Sequence, residues 1–457
     1  MMYQNICMGR RSIHIIYMVI AVIFMTAISS CSPDWREEML PEISPASPQI
    51  GSDRLVNTDA RKVMLLYSAG FNSISTYLAD DIEDLCTGWL PKPQRSDDAI
   101  LVYSHQPVAP KKYTEKTSPV LFRLYAAPDG SAVKDTLVVY EPGTVSSSAE
   151  QFHKVLSYVK NNFPARSYGL LFSSHATGYL PRGFYSDTGS YIFSEGKMYS
   201  QGKRAGWSAV PVPYVEQEQD PDLPAVKSIG QDVERGTLSY EMDIRDFAEA
   251  IPMKLDYILF DACLMGGIEV AYELAGKCNK VGFSQAEVLA EGFDYKTLAS
   301  HLLGNKTSSD PLSVCDDYFI QYDEQTGVYR SATISLVDCN KLEDLKNVCK
   351  GLFEKYHSKI YSLPEGQVQR YYRSSHHWFY DLQSILEKAG ITAEEKARMT
   401  EALDKCILYK GATPSFLGEF TIDTFSGFSM YLPSNGHNEL SKYYRTLKWN
   451  QATGLVK

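Results

Sequence analysis

Apolar and polar positions follow two different periods along most of the chain. Short, nearly unbroken apolar runs occur at residues 63–67, 99–103, 120–124, 169–172, 257–260 and 280–283. Runs of this length, bounded by turn residues, predict buried strands. Between them, apolar residues recur at helical spacing. Ile74, Tyr77, Leu78, Ile82 and Leu85 make one such stripe, and Phe152, Val155, Leu156 and Val159 a second. Ile268, Ala271, Tyr272 and Leu274 make a third, opened by Gly266-Gly267. Ser148 and Gln151 predict a capping box before the second helix. Pro128-Asp129-Gly130 predicts a turn between strand 120–124 and a strand at 136–140. Strand and helix thus alternate, and the strands are apolar on both faces. This predicts an α/β fold whose mostly parallel sheet is covered by helices on both sides.

Three stretches depart from the alternation. Residues 31–60 are rich in Pro, Ser and Asp, and Pro33, Pro41, Pro45 and Pro48 rule out a helix, so they read as a tether. Residues 197–235 carry Pro211, Pro213, Pro221 and Pro224 with acids clustered at 216–222, which predicts a long exposed insertion. Beyond Pro311 the pattern is that of a smaller α+β part, with helices near 342–356 and 382–389 and a late strand at 428–432. The chain therefore divides into a leader (1–30), a tether (31–60), a main α/β domain (61–310) and a C-terminal α+β part (311–457) that completes it.

The leader has its own chemistry. Arg10 and Arg11 precede an apolar run at 15–28, and small Ser29 and Ser30 precede Cys31. This is the pattern of a secretory signal. The run is short for a spanning helix, which needs about 20 apolar residues. The Ile28-Ser29-Ser30-Cys31 ending resembles a lipobox, in which Cys31 is acylated; the alternative is an uncleaved anchor. Both put the domain outside the cytoplasm at a membrane. The expected location is the bacterial cell envelope, lipid-anchored at the outer membrane or cell surface.

Charge and cysteine usage narrow the function. With 45 Lys+Arg against 55 Asp+Glu the net charge is −10, and there is no basic run, which argues against a nucleic-acid partner. Of nine cysteines, Cys7 and Cys31 belong to the leader and lipid site, leaving seven. An odd number in an exported chain flags a free thiol. No CxxC pair suggests zinc and no EF-hand loop suggests calcium.

Two predicted strands end in reactive residues. Residues 170–172 run into Ser173-Ser174-His175, and residues 258–260 into Asp261-Ala262-Cys263. Sites in open α/β sheets form at the carboxyl ends of strands. A His and a Cys placed there have the pairing needed for an activated thiolate, with backbone N–H groups at the same edge to hold an oxyanion.

The local sequences go further. Asp261-Ala262-Cys263-Leu264-Met265-Gly266, followed by residues 269–274, closely resembles the nucleophile segment of the clostripain family. Residues 174–179, Ser-His-Ala-Thr-Gly-Tyr, are similar to that family's His segment. Supporting likeness extends through residues 63–85, 280–284, 380–382 and 427–433, so the resemblance runs from about 61 to about 435.

The resemblance implies a caspase-like α/β/α sandwich. It implies a cysteine endopeptidase that cuts after Arg or Lys in peptide or protein substrates, acts as a monomer and uses no cofactor, although some members use calcium. It implies His175 as base, Cys263 as nucleophile, and the N–H groups of Ala176 and Cys263 as oxyanion donors. Asp261 would bind the basic side chain in the S1 pocket, or otherwise cap a turn. A second pocket acid would be Glu287 or Glu291. Family members are often cut between the His and the Cys, which makes Lys203, Arg204, Lys227 and Arg235 candidate self-cleavage points; the alternative is an uncut loop. Ala176 replaces the family's Gly after the His. That departure leaves a second functional reading, a caspase-like surface lipoprotein without activity that serves binding or adhesion.

Overall fold

The computed structural model describes residues 61–457 except 94, 186–208, 210, 214–222, 228–231, 235–237, 305–306 and 374–377. The leader, the tether and Cys31 lie outside the described residues, as do Lys203, Arg204 and Arg235.

Apolar runs at the predicted places form the strands. The first half holds β1 (Lys62–Ala69), α1 (Ser75–Thr87), β2 (Ala99–His105), β3 (Val120–Ala126), β4 (Ala132–Val139), α2 (Ala149–Asn162) and β5 (Ser167–Ser173). Three short strands follow: β6 (Pro211–Pro213), β7 (Asp232–Glu234) and β8 (Leu238–Tyr240). Next come α3 (Ile244–Ala250), β9 (Leu255–Asp261), α4 (Ile268–Leu274), β10 (Cys278–Phe283), α5 (Tyr295–Leu302) and α6 (Pro311–Asp323). The last part holds β11 (Thr333–Asp338), α7 (Leu342–Tyr361), β12 (Tyr380–Asp381), α8 (Leu382–Lys388), α9 (Ala393–Cys406), β13 (Ile407–Ala412), β14 (Ser415–Phe416), β15 (Phe420–Thr421), β16 (Ser429–Met430), α10 (Asn438–Tyr444) and α11 (Lys448–Thr453).

The main sheet has nine strands in the order β13-β11-β10-β9-β5-β1-β2-β3-β4. The five central strands are parallel, and antiparallel strands extend both edges. All five parallel strands end on one edge. There Ser68 of β1 aligns with Ser173 of β5, and Ser173 aligns with Asp261 of β9. On one face, Phe152 of α2 and Phe247 of α3 pack on Tyr67 and Phe172. Helices α1, α5 and α6 contact in succession as a separate group.

The C-terminal part is not a satellite. Its β11 and β13 extend the main sheet beyond β10, and the predicted 428–432 strand is reduced to β16, which pairs with β12.

The expectation of an exposed insertion at 197–235 does not hold where that stretch is described. Val212, Val226, Lys227, Asp232 and Val233 are all buried. Strands β6, β7 and β8 form a small sheet, and Val226 bridges Leu289. Pro residues kept the stretch out of helices without sending it into solvent. Its buried apolar and charged side chains face pockets formed elsewhere in the chain.

Candidate active site

The segment after β9 makes a tight turn. Leu264 follows Cys263 with φ 61, a left-handed conformation that costs a non-glycine residue about 1–2 kcal/mol. Neighbouring segments hold it there. Leu264 N–H donates to the Ala286 carbonyl at 2.9 Å, and Gly266 N–H to the Ser284 carbonyl at 2.7 Å. Gly266 has no space for a side chain, since a Cβ would lie 2.6 Å from the Gln285 nitrogen. The C-terminal part clamps the far side: Ser429 N–H donates to the Gly266 carbonyl at 2.8 Å. Glu269 of α4 accepts from Tyr431 N–H at 2.9 Å and from the Tyr444 hydroxyl at 2.7 Å. Cys263 is fully buried, and the Val288 N–H donates to its Sγ at 3.0 Å.

The segment after β5 lies beside this turn. The Ser174 hydroxyl donates to the Ala69 carbonyl at 2.9 Å. His175 Nε2 lies 3.0 Å from the Ser73 hydroxyl, and its Nδ1 has no hydrogen-bond partner. Burial pulls the imidazole pKa down to about 3, opposed by the Lys227 main chain and helped by the Lys227 ammonium. The ring is therefore neutral at pH 7. Gly178 lets the two segments meet: its φ is 61, and a Cβ there would collide with the Leu264 carbonyl oxygen. Ala176 is half-buried and lines a cavity of about 50 Å³ with His175, Gly178 and Met265.

Lys227 occupies the space between these elements. Its N–H donates to the Val288 carbonyl at 2.9 Å, and Ala290 N–H donates to the Ala225 carbonyl at 2.8 Å. Residues 225–227 thus lie as an extended strand along 288–290. The Lys227 carbonyl accepts from the Cys263 N–H at 3.4 Å. Its side chain is completely buried. The ammonium donates to Asp261 Oδ2, to Asp81 Oδ2 at 3.2 Å and to the Ser173 hydroxyl at 3.4 Å. Asp261 Oδ2 also accepts from Ser173 at 2.9 Å and from the Tyr295 hydroxyl at 2.7 Å. Burial alone would lower the Lys227 pKa, but Asp261 and then Asp81 raise it above its ordinary value. The lysine is charged, and two acidic side chains face one ammonium.

Cys263, Asp261 and Lys227 therefore converge on one point, with His175 against the Lys227 main chain. The two candidate second acids do not reach it. Glu291 is exposed, and its neighbour Gly292 forms the wall against Asp261. Glu287 is buried but its carboxylate lies 3.3 Å from Arg373. The second acid beside the ammonium is Asp81 of α1, which the sequence reading passed over. A signal was present, because Asp81 falls on the apolar stripe between Leu78 and Leu85. Ser73, Ser173 and Tyr295 were missed as well, and no sequence motif marks them. Among the described residues no group of three or more His, Cys, Asp or Glu is arranged to hold a metal ion.

A sequence model of the clostripain family of peptidases matches residues 214–454, just over half of the chain. Among solved structures, the chain is similar to an inactive zymogen C11 protease from Parabacteroides distasonis. The two are 24% identical with a TM-score of 0.67, over 87% of this chain and 98% of that one. It is also similar to a secreted C11 cysteine protease from Bacteroides thetaiotaomicron, solved with an irreversible peptide inhibitor. Here the identity is 21% and the TM-score 0.65, over 86% of this chain and 99% of that one. No curated protein matches. These structural likenesses extend the caspase-like fold across nearly all of the described residues.

Proposed function

The chain belongs to the clostripain family of cysteine peptidases, and from that premise we propose that it is a cysteine endopeptidase that cuts after a basic residue, its own Lys227 first. One observation carries the reading: Lys227 lies in the site as a substrate would. Its ammonium is buried against Asp261 and Asp81, and its carbonyl meets the Cys263 N–H.

The roles follow from that placement. Cys263 Sγ attacks the Lys227 carbonyl carbon, and His175 takes the thiol proton. The carbonyl oxygen becomes an oxyanion held by the N–H groups of Cys263 and Ala176. The C–N bond to Ser228 then breaks, and His175 returns the proton to the leaving amine. Water, deprotonated by His175, hydrolyses the thioester and restores the thiol. Nδ1 is the working nitrogen, because Ser73 holds Nε2. The side chains of the chain itself supply this chemistry.

Ala176 in place of Gly bears on the binding-lipoprotein alternative, but its N–H is retained and the occupied pocket favours a peptidase. The charged leader and the secreted neighbour support an envelope location, with Cys31 as lipid site.

The test is intact mass spectrometry of the full chain and of Cys263→Ala, incubated over a range of concentrations. The wild type is expected to split after Lys227 at a rate independent of concentration, since a fully buried lysine is out of reach of a second molecule. The variant should stay whole. A wild-type chain that stays whole, with a Cys263 that resists alkylation, would turn the reading to the binding lipoprotein.

A further inference from the structure

We propose that the S1 pocket selects lysine over arginine, and that Asp81 sets this choice. The inference rests on the peptidase reading above and makes its substrate class narrower.

The end of the pocket is built around a single nitrogen. Three oxygens from three elements surround Lys227 Nζ: Asp261 Oδ2 from β9, Asp81 Oδ2 from α1 and Ser173 Oγ from β5. An ammonium has three N–H donors that diverge from one atom, so each finds an acceptor. An arginine in the same pose would put its central guanidinium carbon near the Nζ position. Its two terminal nitrogens would have to lie further in.

The groups lining that end of the pocket already lie close to Nζ. The backbone at Gly292 borders the ammonium, since a Cβ there would sit 2.6 Å from Nζ. Asp261 is also unsuited to a planar cation. A guanidinium pairs best with both oxygens of a carboxylate side by side. Here Oδ2 already accepts from Ser173 and Tyr295, and Oδ1 faces Gly292 without a hydrogen-bond donor.

Asp81 closes the remaining side. It approaches from the helix, almost fully buried. Burial pushes its carboxyl well above the usual range, against the pull of Lys227, and Asp261 pushes it further. Such a group is held in place by a compact cation that touches both acids at once. Without Asp81, the flank that faces α1 would be open to a larger head group.

The experiment follows self-cleavage of the full chain by intact mass for four forms: wild type, Lys227→Arg, Asp81→Ala and Lys227→Arg combined with Asp81→Ala. Processed wild-type enzyme is also assayed on two fluorogenic peptides that differ only in Lys or Arg at P1. The expected results are a Lys227→Arg chain cut at least tenfold more slowly than wild type, and a kcat/KM at least tenfold higher for the Lys peptide. Asp81→Ala should bring the Lys and Arg forms within about threefold of each other. Asp81→Asn, which keeps the shape and removes the charge, is the second variant should the Ala form not fold. It should slow cutting after Lys more than after Arg. Equal or faster cutting after Arg in the wild type would overturn the selectivity while leaving the peptidase reading intact. An unchanged Lys-to-Arg ratio in both Asp81 variants would remove Asp81 from the role. Cutting after neither residue in any form would overturn the peptidase reading and the inference with it.

Discussion

Glu269 joins the helix behind the Cys263 turn to the C-terminal part, and its protonation is predicted to make stability fall as pH rises. The carboxyl is fully buried and accepts from Tyr431 N–H and the Tyr444 hydroxyl through Oε1, while Oε2 has no partner. Burial raises its pKa from 4.5 to about 7, with the two hydrogen bonds opposing the rise. The folded chain therefore keeps a proton that the unfolded chain releases above about pH 4.5. The stability tied to that proton is fully present below pH 4.5 and is lost as pH climbs to about 7. At ~1.4 kcal/mol per pKa unit, the loss between pH 5 and pH 8 is roughly 2–3 kcal/mol. Glu269→Gln is neutral at every pH and can keep the Oε1 contacts. The assay is urea unfolding of Cys263→Ala, which excludes the proposed self-cleavage, with and without Glu269→Gln, at pH 5, 6, 7 and 8. The two midpoints should draw apart in favour of the Gln form as pH rises, with the change complete near pH 7. A constant offset between the forms, of either sign, would refute the reasoning, because packing effects of the substitution do not depend on pH.

Two further substitutions test the parts that hold His175 and the Cys263 turn. Ser73→Ala removes the only hydrogen bond the described residues give His175 Nε2, and a lost bond of about 1 kcal/mol corresponds to a several-fold to tenfold drop in kcat. KM for a basic fluorogenic peptide should stay within twofold, and a rise in KM with unchanged kcat would assign Ser73 to binding instead. Gly178→Ala places a Cβ against the Leu264 carbonyl and 2.9 Å from the Phe379 ring, at a φ of 61. It should destabilise the chain by more than about 1 kcal/mol and lower the melting temperature by about a degree or more, and an unchanged melting curve would show that the His and Cys segments do not meet there.

The strand-end placement was legible in the sequence because both links are local. An apolar run reads directly as a buried strand, and the polar residues that follow it must lie at the sheet edge. That logic reached His175, Asp261 and Cys263 with no knowledge of the pairing order. Strands β11 and β13 escaped it for a physical reason. β13, Ile407–Ala412, alternates between half-buried and exposed positions at the sheet edge and lacks the apolar run of a central strand. β11 is well buried, but Thr333 and Ser335 break its apolar run.

What stayed hidden in the sequence depends on pairs far apart in the chain. Lys227 sits in a Pro-rich, acid-rich stretch, where every local signal points to solvent. It is buried because Asp81, Ser173 and Asp261 form a cavity of matching charge, and those acids lie 146 and 34 residues away from it. The same separation explains the misplaced second acid. Glu287 and Glu291 are suggested by the family resemblance after Ser284-Gln285, yet the turn through Gly292 carries Glu291 outward and Glu287 meets Arg373. Asp81 offered a better clue. An acid on the buried stripe of an amphipathic helix must find a cation or stay protonated. In a chain with a Cys and a His at the sheet edge, the pocket beside them is where that cation belongs. Reading buried-face charges as demands for a partner, rather than as noise in an apolar pattern, would have led from Asp81 to a basic residue in the insertion.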